Sequence, residues 1–186
     1  SIMIISKLKQ LEEFSKARCV MTYVSKSDEV NTIGLIEDML KSGKRVVVPV
    51  VDKESKELIP CEILSLEELS VGAFGIMEPK LNHNRIVDVS EIDLVIVPGR
   101  AFDKKCNRLG RGMGYFDKFL KKPLKGKVIG LAFSEQILDN IPVEENDVKV
   151  DAVVTENIVI RREAQQLFKK RFLTTREIAL YSLFIA

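Results

Sequence analysis

The sequence has few of the side chains that build metal centres and disulfide frameworks. Its 186 residues include no tryptophan, one histidine, His83, and three widely spaced cysteines, Cys19, Cys61 and Cys106. Structural zinc sites need clustered cysteine and histidine ligands, and small secreted scaffolds use an even number of closely spaced cysteines. The sequence therefore disfavours both classes and indicates reduced thiols in a cytoplasmic protein. His83 lies in a polar run and is predicted to occupy a surface loop.

A long apolar run and a strong net charge are also absent. No run approaches the roughly 20 apolar residues of a membrane-spanning helix, and no cleavage site of a signal peptide follows the apolar residues 1–5. We expect a cytoplasmic protein that does not bind membranes. The net charge is only +2, from 29 basic and 27 acidic residues, which gives no general attraction for nucleic acid.

The composition that remains is typical of a globular enzyme-sized domain. Hydrophobic residues make up 46% and charged residues 30% of the chain, the usual balance of an apolar core and a charged surface. At this length we expect one domain over residues 1–186, acting as a monomer.

Short apolar runs alternate with segments of helical spacing along the chain. Strands are predicted at residues 18–24, 45–51, 93–97, 127–133 and 150–155, and helices at residues 2–16, 28–41 and 161–182 and after Gly114. This alternation predicts an α/β fold, a mostly parallel sheet with helices on both faces. Pro49 indicates the end of a strand or an edge position. Residues 52–92 are the least regular part, with a small hairpin expected around residues 62–64.

Basic residues are concentrated in residues 100–122, which contain eight basic and two acidic side chains. This stretch begins where the predicted strand 93–97 ends, and ligands of parallel sheets bind outside the carboxyl ends of the strands. The stretch therefore predicts a single anionic ligand, with a solvated charged surface as the alternative.

Three alternate glycines stand within that stretch, in the run RLGRGMGYFD of residues 108–117. Glycines allow a backbone to turn sharply and to approach a ligand closely. Arg108 and Arg111 flank them and suit bidentate contacts to phosphate, and the following helix would present free N–H groups. These features predict a polyphosphate site. Neither standard fingerprint is present, because Asp117 stands where GxGxxG needs a glycine and no Gly-Lys pair precedes Ser or Thr.

Acidic side chains near the glycines are candidates for a metal that accompanies phosphate. Asp117 follows the glycines within one turn, and Asp147 lies in the acidic segment 144–151. Carboxylate oxygens are suitable ligands for Mg²⁺, although an acidic residue taken alone is more often a solvated surface group.

Residues 98–120, PGRAFDKKCNRLGRGMGYFDKFL, resemble the hallmark block of the 5-formyltetrahydrofolate cyclo-ligases, also called 5,10-methenyltetrahydrofolate synthetases. Further pieces agree in order, namely Tyr23-Val24 with Asp28-Glu29, Phe74-Gly75-Ile76, and Ile141-Pro142 with Asp147. The likeness extends over most of residues 1–160 and implies a NagB/RpiA/CoA transferase-like fold.

The resemblance also implies an activity and its residues. The expected reaction is the ATP- and Mg²⁺-dependent cyclisation of 5-formyltetrahydrofolate, with or without a polyglutamate tail, to 5,10-methenyltetrahydrofolate, through a phosphorylated formyl group. The implied ATP ligands are Arg108, Leu109, Gly110, Arg111, Gly112, Met113, Gly114, Tyr115 and Arg161. Of these, Arg108, Arg111 and Tyr115 are expected to be catalytic. Folate is expected to contact Val24, Glu29, Phe74 and Phe116, and Mg²⁺ to bind Asp117 and Asp147.

The chain departs from the family pattern at several positions. Phe116 replaces a second tyrosine, Met113 stands where glycine or lysine is usual, Cys106 replaces a glycine, and Arg100 a small residue. The family's basic opening helix is missing, and residues 161–182 resemble it. We therefore expect this tail to take that helix's place, as in a circular permutation; an unrelated C-terminal helix is the alternative.

Two other functions stay open at this point. A folate- or nucleotide-binding relative without turnover would keep the same pocket. RNA binding through the basic stretch is the other, although the aromatic residues that stack bases are not interleaved there.

Overall fold

The computed structural model describes residues 1–162. Its α-helices are α1 (Ile2–Gln10), α2 (Glu12–Lys16), α3 (Ile33–Lys41) and α4 (Tyr115–Leu120). Its strands are β1 (Cys19–Thr22), β2 (Arg45–Asp52), β3 (Glu57–Ile63), β4 (Leu69–Val71), β5 (Met77–Pro79), β6 (Leu94–Val97), β7 (Ala101–Asp103), β8 (Arg108–Leu109), β9 (Lys127–Leu131), β10 (Ile137–Leu138), β11 (Ala152–Val154) and β12 (Val159–Arg161). Short 3-10 helices span Leu66–Glu68, Ala73–Gly75, His83–Arg85, Val89–Glu91 and Ser134–Gln136.

A seven-stranded sheet forms the centre of the molecule, in the order β12-β11-β9-β6-β1-β2-β3. The neighbours among β11, β9, β6, β1 and β2 are parallel, while β12 and β3 pair antiparallel at the two edges. This confirms the predicted mostly parallel sheet. Two smaller sheets, β10-β7-β8 and β4-β5, accompany it.

Both faces of the central sheet are buried, which explains why its strands are continuously apolar. Successive residues of a strand point to opposite faces. Val46 and Val48 pack into a core with Leu35 of α3, whereas Val47 packs on the other face with Phe119 of α4. Helices therefore cover both faces, as predicted.

Two helices differ in their bounds from the predictions. The segment 2–16 is interrupted at Leu11, whose ψ of 140° is extended, so that α1 and α2 are separate. Helix α3 begins at Ile33, and the acidic pair expected to open it, Asp28 and Glu29, lies in the preceding loop. In this loop the side chains of Glu29 and Ser25 accept backbone N–H groups. Such bonds offer the backbone an alternative to the hydrogen bonds of a helix.

The expectation for Pro49 is wrong, because β2 continues to Asp52 and lies between β1 and β3. Strand β1 pairs with β2 only as far as Val47. Pro49 lies beyond this pairing, so no hydrogen bond from Pro49 to β1 is required. On its other side Pro49 lies opposite Pro60, which also lacks an N–H. The absent donor is thus tolerated inside the sheet.

The hairpin expected around residues 62–64 is wrong as well. Glu62 belongs to β3, which pairs with β2 along its full length. The hairpin turn lies at residues 53–56. Pro60 within β3 hid this strand, because proline inside a run argues against a strand.

The predicted helix 161–182 falls mostly outside the described residues. Its first residue, Arg161, is the last residue of β12, so a helix does not begin there. The single domain over residues 1–186 stays a prediction. Within residues 1–162, no helix combines the length and the apolar character needed to cross a membrane.

The hairpin turn contains an exposed lysine in a left-handed conformation. Lys56 has a φ of 54°, which costs roughly 1–2 kcal/mol for a residue with a Cβ. Glu54, in the same exposed turn, has no such φ. We expect Lys56→Gly to leave the free energy of unfolding about 1 kcal/mol higher than Glu54→Gly does, since both variants carry the same glycine entropy. Urea denaturation measures the difference, and equal values for the two variants would contradict the assignment of strain to Lys56.

Candidate active site

The candidate site lies at the carboxyl ends of the parallel strands, where a cavity of about 190 Å³ opens. The loop 23–32 after β1, the β2–β3 hairpin, the turn at Phe74, the segment after β6 and the glycine loop contribute its walls. The predicted site residues that line it are Val24, Glu29, Phe74, Arg108, Gly110, Arg111, Met113, Gly114, Tyr115, Phe116 and Asp117. An adjoining cavity of about 440 Å³ is lined by Leu109, Gly112 and Asp147 and shares Arg108, Gly110, Gly114 and Asp117 with the first.

Side-chain hydrogen bonds shape the loop after β1. The Tyr23 hydroxyl donates to the Val30 carbonyl oxygen at 2.7 Å, and the Thr32 hydroxyl donates to the Tyr23 carbonyl oxygen at 2.8 Å. The Lys26 N–H donates to Glu29 Oε2 at 2.8 Å, which aims this carboxylate toward the cavity. Burial raises the pKa of Tyr23 far above its usual value, with a further contribution from the Glu29 charge. Tyr23 is therefore a neutral structural donor.

The glycine loop presents open backbone to the cavities. Gly112 and Gly114 have φ values of 88° and 70°, a region that side chains with a Cβ disfavour. A Cβ at either position would meet no atom of the described residues within 4 Å. The space above these two residues is thus available to a ligand, which fits the predicted phosphate loop.

Arg108 is buried, and both of its terminal amino groups already have protein partners. Nη1 donates to the Pro98 carbonyl oxygen at 3.1 Å, and Nη2 donates to Asp117 Oδ1 at 3.0 Å. The guanidinium also lies over the Phe116 ring, 5.6 Å from its centroid. Arg108 therefore joins β8, the segment after β6 and α4. Its predicted phosphate contact stays a prediction beside this positioning role.

Arg111 is far more exposed and reaches across the cavity. Its Nη2 donates to both carboxylate oxygens of Asp28, at 2.9 and 2.8 Å, and to Glu29 Oε1 at 3.2 Å. The hydrogen bond from Arg111 lowers the pKa of Asp28. Asp28 is a site residue that the sequence reasoning missed. The signal was available, because the acidic pair follows the carboxyl end of a predicted strand.

Phe74 stands at the cavity mouth in an unusual backbone conformation. Its φ is 57°, and it is followed by Gly75 with a φ of 71°. Its ring centroid lies 6.0 Å from that of Tyr115, with the planes tilted by 58°. With 44% of its surface exposed, Phe74 is not an ordinary core aromatic.

Asp117 and Asp147, the two predicted metal ligands, line the same adjoining cavity. Asp147 also accepts the Glu144 N–H at 2.8 Å. Within residues 1–162, no three acidic, cysteine or histidine side chains cluster as a ready-made metal site. Two carboxylates fit Mg²⁺ nevertheless, because this ion usually takes one or two carboxylates and completes its shell with water and substrate phosphates.

Arg161 is the predicted ATP ligand that the structure does not bring to the cavity. It pairs with Ala152 at the start of β11, the end of the sheet opposite to the site. Its guanidinium forms an ion pair with Glu13 of α2 and lowers the pKa of that carboxyl. A tether between β12 and α2 accounts for Arg161, and a contact with ATP is not supported by this position.

Comparison with known proteins decides the family. The model of the 5-formyltetrahydrofolate cyclo-ligase family matches residues 1–156. The chain belongs to this family. The membership confirms the resemblance found in residues 98–120 and the prediction of a ligase of folate one-carbon metabolism.

Individual relatives of the family support the same assignment. The 5-formyltetrahydrofolate cyclo-ligase of Mus musculus is 33% identical over 167 residues, 84% of this chain and 82% of the relative. That of Escherichia coli K12 is 35% identical over 146 residues, 77% and 80% of the two chains. The solved structure of Aquifex aeolicus 5,10-methenyltetrahydrofolate synthetase matches with a TM-score of 0.76 and 38% identity, over 87% of this chain and 80% of that one. These likenesses confirm the fold class.

We expect substitutions of Arg108 and Arg111 to have different effects on the stability of the protein. Arg108→Met leaves the largely buried Asp117 carboxylate without its cation, and we expect the free energy of unfolding to fall by about 3 kcal/mol. Arg111→Met removes exposed ion pairs and should cost less than about 1 kcal/mol. Urea denaturation of both variants measures this. In an Asp117→Asn background the effect of Arg108→Met should shrink; an undiminished loss would show that the ion pair is not its cause.

Proposed function

We propose that this enzyme catalyses the ATP- and Mg²⁺-dependent cyclisation of 5-formyltetrahydrofolate to 5,10-methenyltetrahydrofolate, releasing ADP and phosphate. One observation carries the proposal: groups suited to phosphates and groups suited to a pterin line a single cavity. The glycine loop and Arg111 are the groups suited to phosphates, and Glu29 and Phe74 are the groups suited to a pterin. The printed names of the mouse and Escherichia coli relatives support the same substrate.

The reaction proposed for this cavity has two steps. The formyl oxygen attacks the γ-phosphorus of ATP, and ADP leaves. N10 of the folate then attacks the activated formyl carbon and loses its proton, and phosphate departs with the former formyl oxygen as the ring closes. Such chemistry depends mainly on alignment of the reactants and on stabilisation of the phosphate charge.

The charged residues of the cavity have complementary roles in this proposal. Arg111 is exposed to the cavity and suits the phosphoryl oxygens, while the backbone of Gly112 and Gly114 gives them room. Glu29 accepts hydrogen bonds from pterin N–H groups. Since Arg111 contacts Glu29 at 3.2 Å, the phosphate and pterin positions would be adjacent, as transfer between them requires.

The aromatic residues hold the flat ring system of the substrate. Phe74 and Tyr115 form a tilted pair at the cavity mouth, and Phe116 and Val24 line its interior. Tyr115 places a hydroxyl near the reacting formyl group, whereas Phe116 offers only its ring. Orientation by apolar contact is therefore the proposed role of Phe116 here.

Asp117 and Asp147 would hold Mg²⁺, which neutralises phosphate charge when it is bound. Asp117 uses its Oδ1 in the ion pair with Arg108, which leaves Oδ2 for this role. The remaining elements of the proposal are a folate substrate with or without a polyglutamate tail, a monomeric cytoplasmic enzyme, and no nucleic-acid or membrane partner.

The proposal predicts an ATP-dependent activity that needs Arg111. Purified protein with 5-formyltetrahydrofolate, Mg²⁺ and ATP should produce the near-ultraviolet absorbance of the methenyl product. Arg111→Ala should lower kcat/KM about 100-fold or more, since it removes a cation at the charge that develops during transfer. The absorbance should also vanish when Mg²⁺ is chelated.

Arg45→Ala provides a matched control for this experiment. Arg45 is about as exposed as Arg111 (43% against 41% of the side chain) and also pairs with two carboxylates, those of Glu62 and Glu91. It lies at the start of β2, away from the cavity, so we expect kcat/KM to stay within about twofold. Binding of folate and ATP by the wild type without any product would instead favour the non-catalytic relative.

A further inference from the structure

The turn that carries Phe74 connects β4 and β5. Val71 pairs with Met77 at the end of this hairpin, and the Ile76 N–H donates to the Ala73 carbonyl oxygen at 3.0 Å. Phe74 and Gly75 in the middle of the turn both have positive φ. Hairpin turns of this kind prefer Asn-Gly or Gly-Gly. An aromatic residue at this position is held against its own preference, which is typical of functional sites.

The carboxylate of Glu78 holds this turn in place through two hydrogen bonds. Its Oε2 accepts the Val51 N–H at 3.1 Å, and its Oε1 accepts the Ala73 N–H at 3.4 Å. Val51 is near the end of β2 and lines the cavity together with Phe74. One carboxylate thus joins the central sheet to the residue directly before Phe74.

Gly72 leaves the space that this carboxylate needs. A Cβ at Gly72 would lie 2.3 Å from the Cγ, Cδ and Oε1 atoms of Glu78, closer than atoms can approach. The side chain of Glu78 therefore packs directly on the Gly72 backbone. Two further contacts of the turn are exposed: Lys26 Nζ donates to the Phe74 carbonyl oxygen at 2.9 Å, and Lys53 Nζ lies 5.4 Å from the Phe74 ring centroid.

We propose that Glu78 is a positioning residue that sets the affinity for the folate substrate by fixing Phe74 at the cavity mouth. The inference rests on the proposed function for the identity of the ligand. It does not depend on ATP, because the hydrogen bonds of Glu78 go to Val51 and Ala73 and not to the glycine loop or Arg111. The effect of Glu78 should therefore appear in the KM for 5-formyltetrahydrofolate and not in the KM for ATP.

The test compares three variants by steady-state kinetics. Glu78→Ala removes both acceptors, and we expect the KM for 5-formyltetrahydrofolate to rise roughly tenfold, the equivalent of one lost hydrogen-bonded contact, with the KM for ATP within about twofold. Glu78→Gln keeps one carbonyl oxygen and should recover most of the affinity. Glu68→Ala is the matched control, since Glu68 accepts the Leu64 N–H and pairs with Arg85 at the base of the same hairpin, outside the cavity. It should leave both KM values unchanged.

A spectroscopic measurement separates this inference from the proposed function. The chain has no tryptophan, so Phe74→Trp introduces a single tryptophan at the site, which can be excited selectively over the tyrosines. Glu78→Ala in that background should shift the emission to the red and weaken its polarisation, whereas Glu68→Ala should not. This readout needs no turnover, and it tests whether Glu78 fixes the turn at Phe74 even if the wild type makes no methenyl product.

Two results would overturn the inference. The first is either an unchanged KM for folate in Glu78→Ala or an unchanged emission of the introduced tryptophan when Glu78→Ala is combined with Phe74→Trp. The second is an equal rise of both KM values with a loss of thermal stability, which marks a general structural role. If Glu78→Ala does not fold, Glu78→Gln provides the decisive comparison with Glu68→Ala, and the same two results apply to it.

Discussion

The buried ion pair between Arg108 and Asp117 is the interaction on which the rest of the site depends. A guanidinium with both terminal amino groups engaged joins β8, the segment after β6 at Pro98, and α4. Three elements that are otherwise independent are thereby fixed at one end of the sheet, with the glycine loop between two of them. Because an unpaired charge in this position is costly, the two residues hold each other in place. The loop can consist largely of flexible glycines, since its ends are fixed by this pair.

A second set of ion pairs crosses the cavity, and it differs from the first in being exposed to solvent. Arg111 meets Asp28 and Glu29 in an exposed cluster, where an ion pair contributes little to stability. Such a contact is easily exchanged for a ligand. In the proposed function, a phosphate that binds Arg111 would compete with the contact to Glu29 and free this carboxylate for the pterin. The contrast separates the two arginines of one motif. Arg108 is fixed in the wall of the cavity, whereas Arg111 has the exposure and the exchangeable contacts that its proposed role in phosphate binding requires.

The features of the site that depend on short stretches of the chain could be predicted from the sequence. The inner strands were recognisable because both faces of the sheet are buried, and the glycine loop because its spacing is short. Long-range contacts were not accessible in this way. The contact between Arg111 and Asp28 spans 83 residues, and the burial of Arg108 follows from elements on both sides of it. Strand β3 was not predicted because it contains Pro60. A proline is accepted at this position because it faces Pro49 in β2, a pairing that the local sequence does not reveal. Arg161 was assigned to a helix because the helical spacing of residues 161–182 begins at this residue, whereas the structure has it as the last residue of β12.

The departure at Cys106 shows how the fold absorbs a substitution without losing the site. Cys106 has a φ of 61° and is fully buried, a conformation that the glycine expected here from the family resemblance would adopt without strain. Asp103 holds the turn, since its carboxylate accepts the N–H groups of Lys105 and Asn107 and the Asn107 side-chain amide. Desolvation alone would raise the pKa of Asp103, but these donors together lower it. The carboxylate thus stays charged and keeps the turn closed around a side chain that opposes it. The turn ends at Asn107, directly before Arg108, so the hydrogen bonds of Asp103 also fix the chain where the ion pair begins.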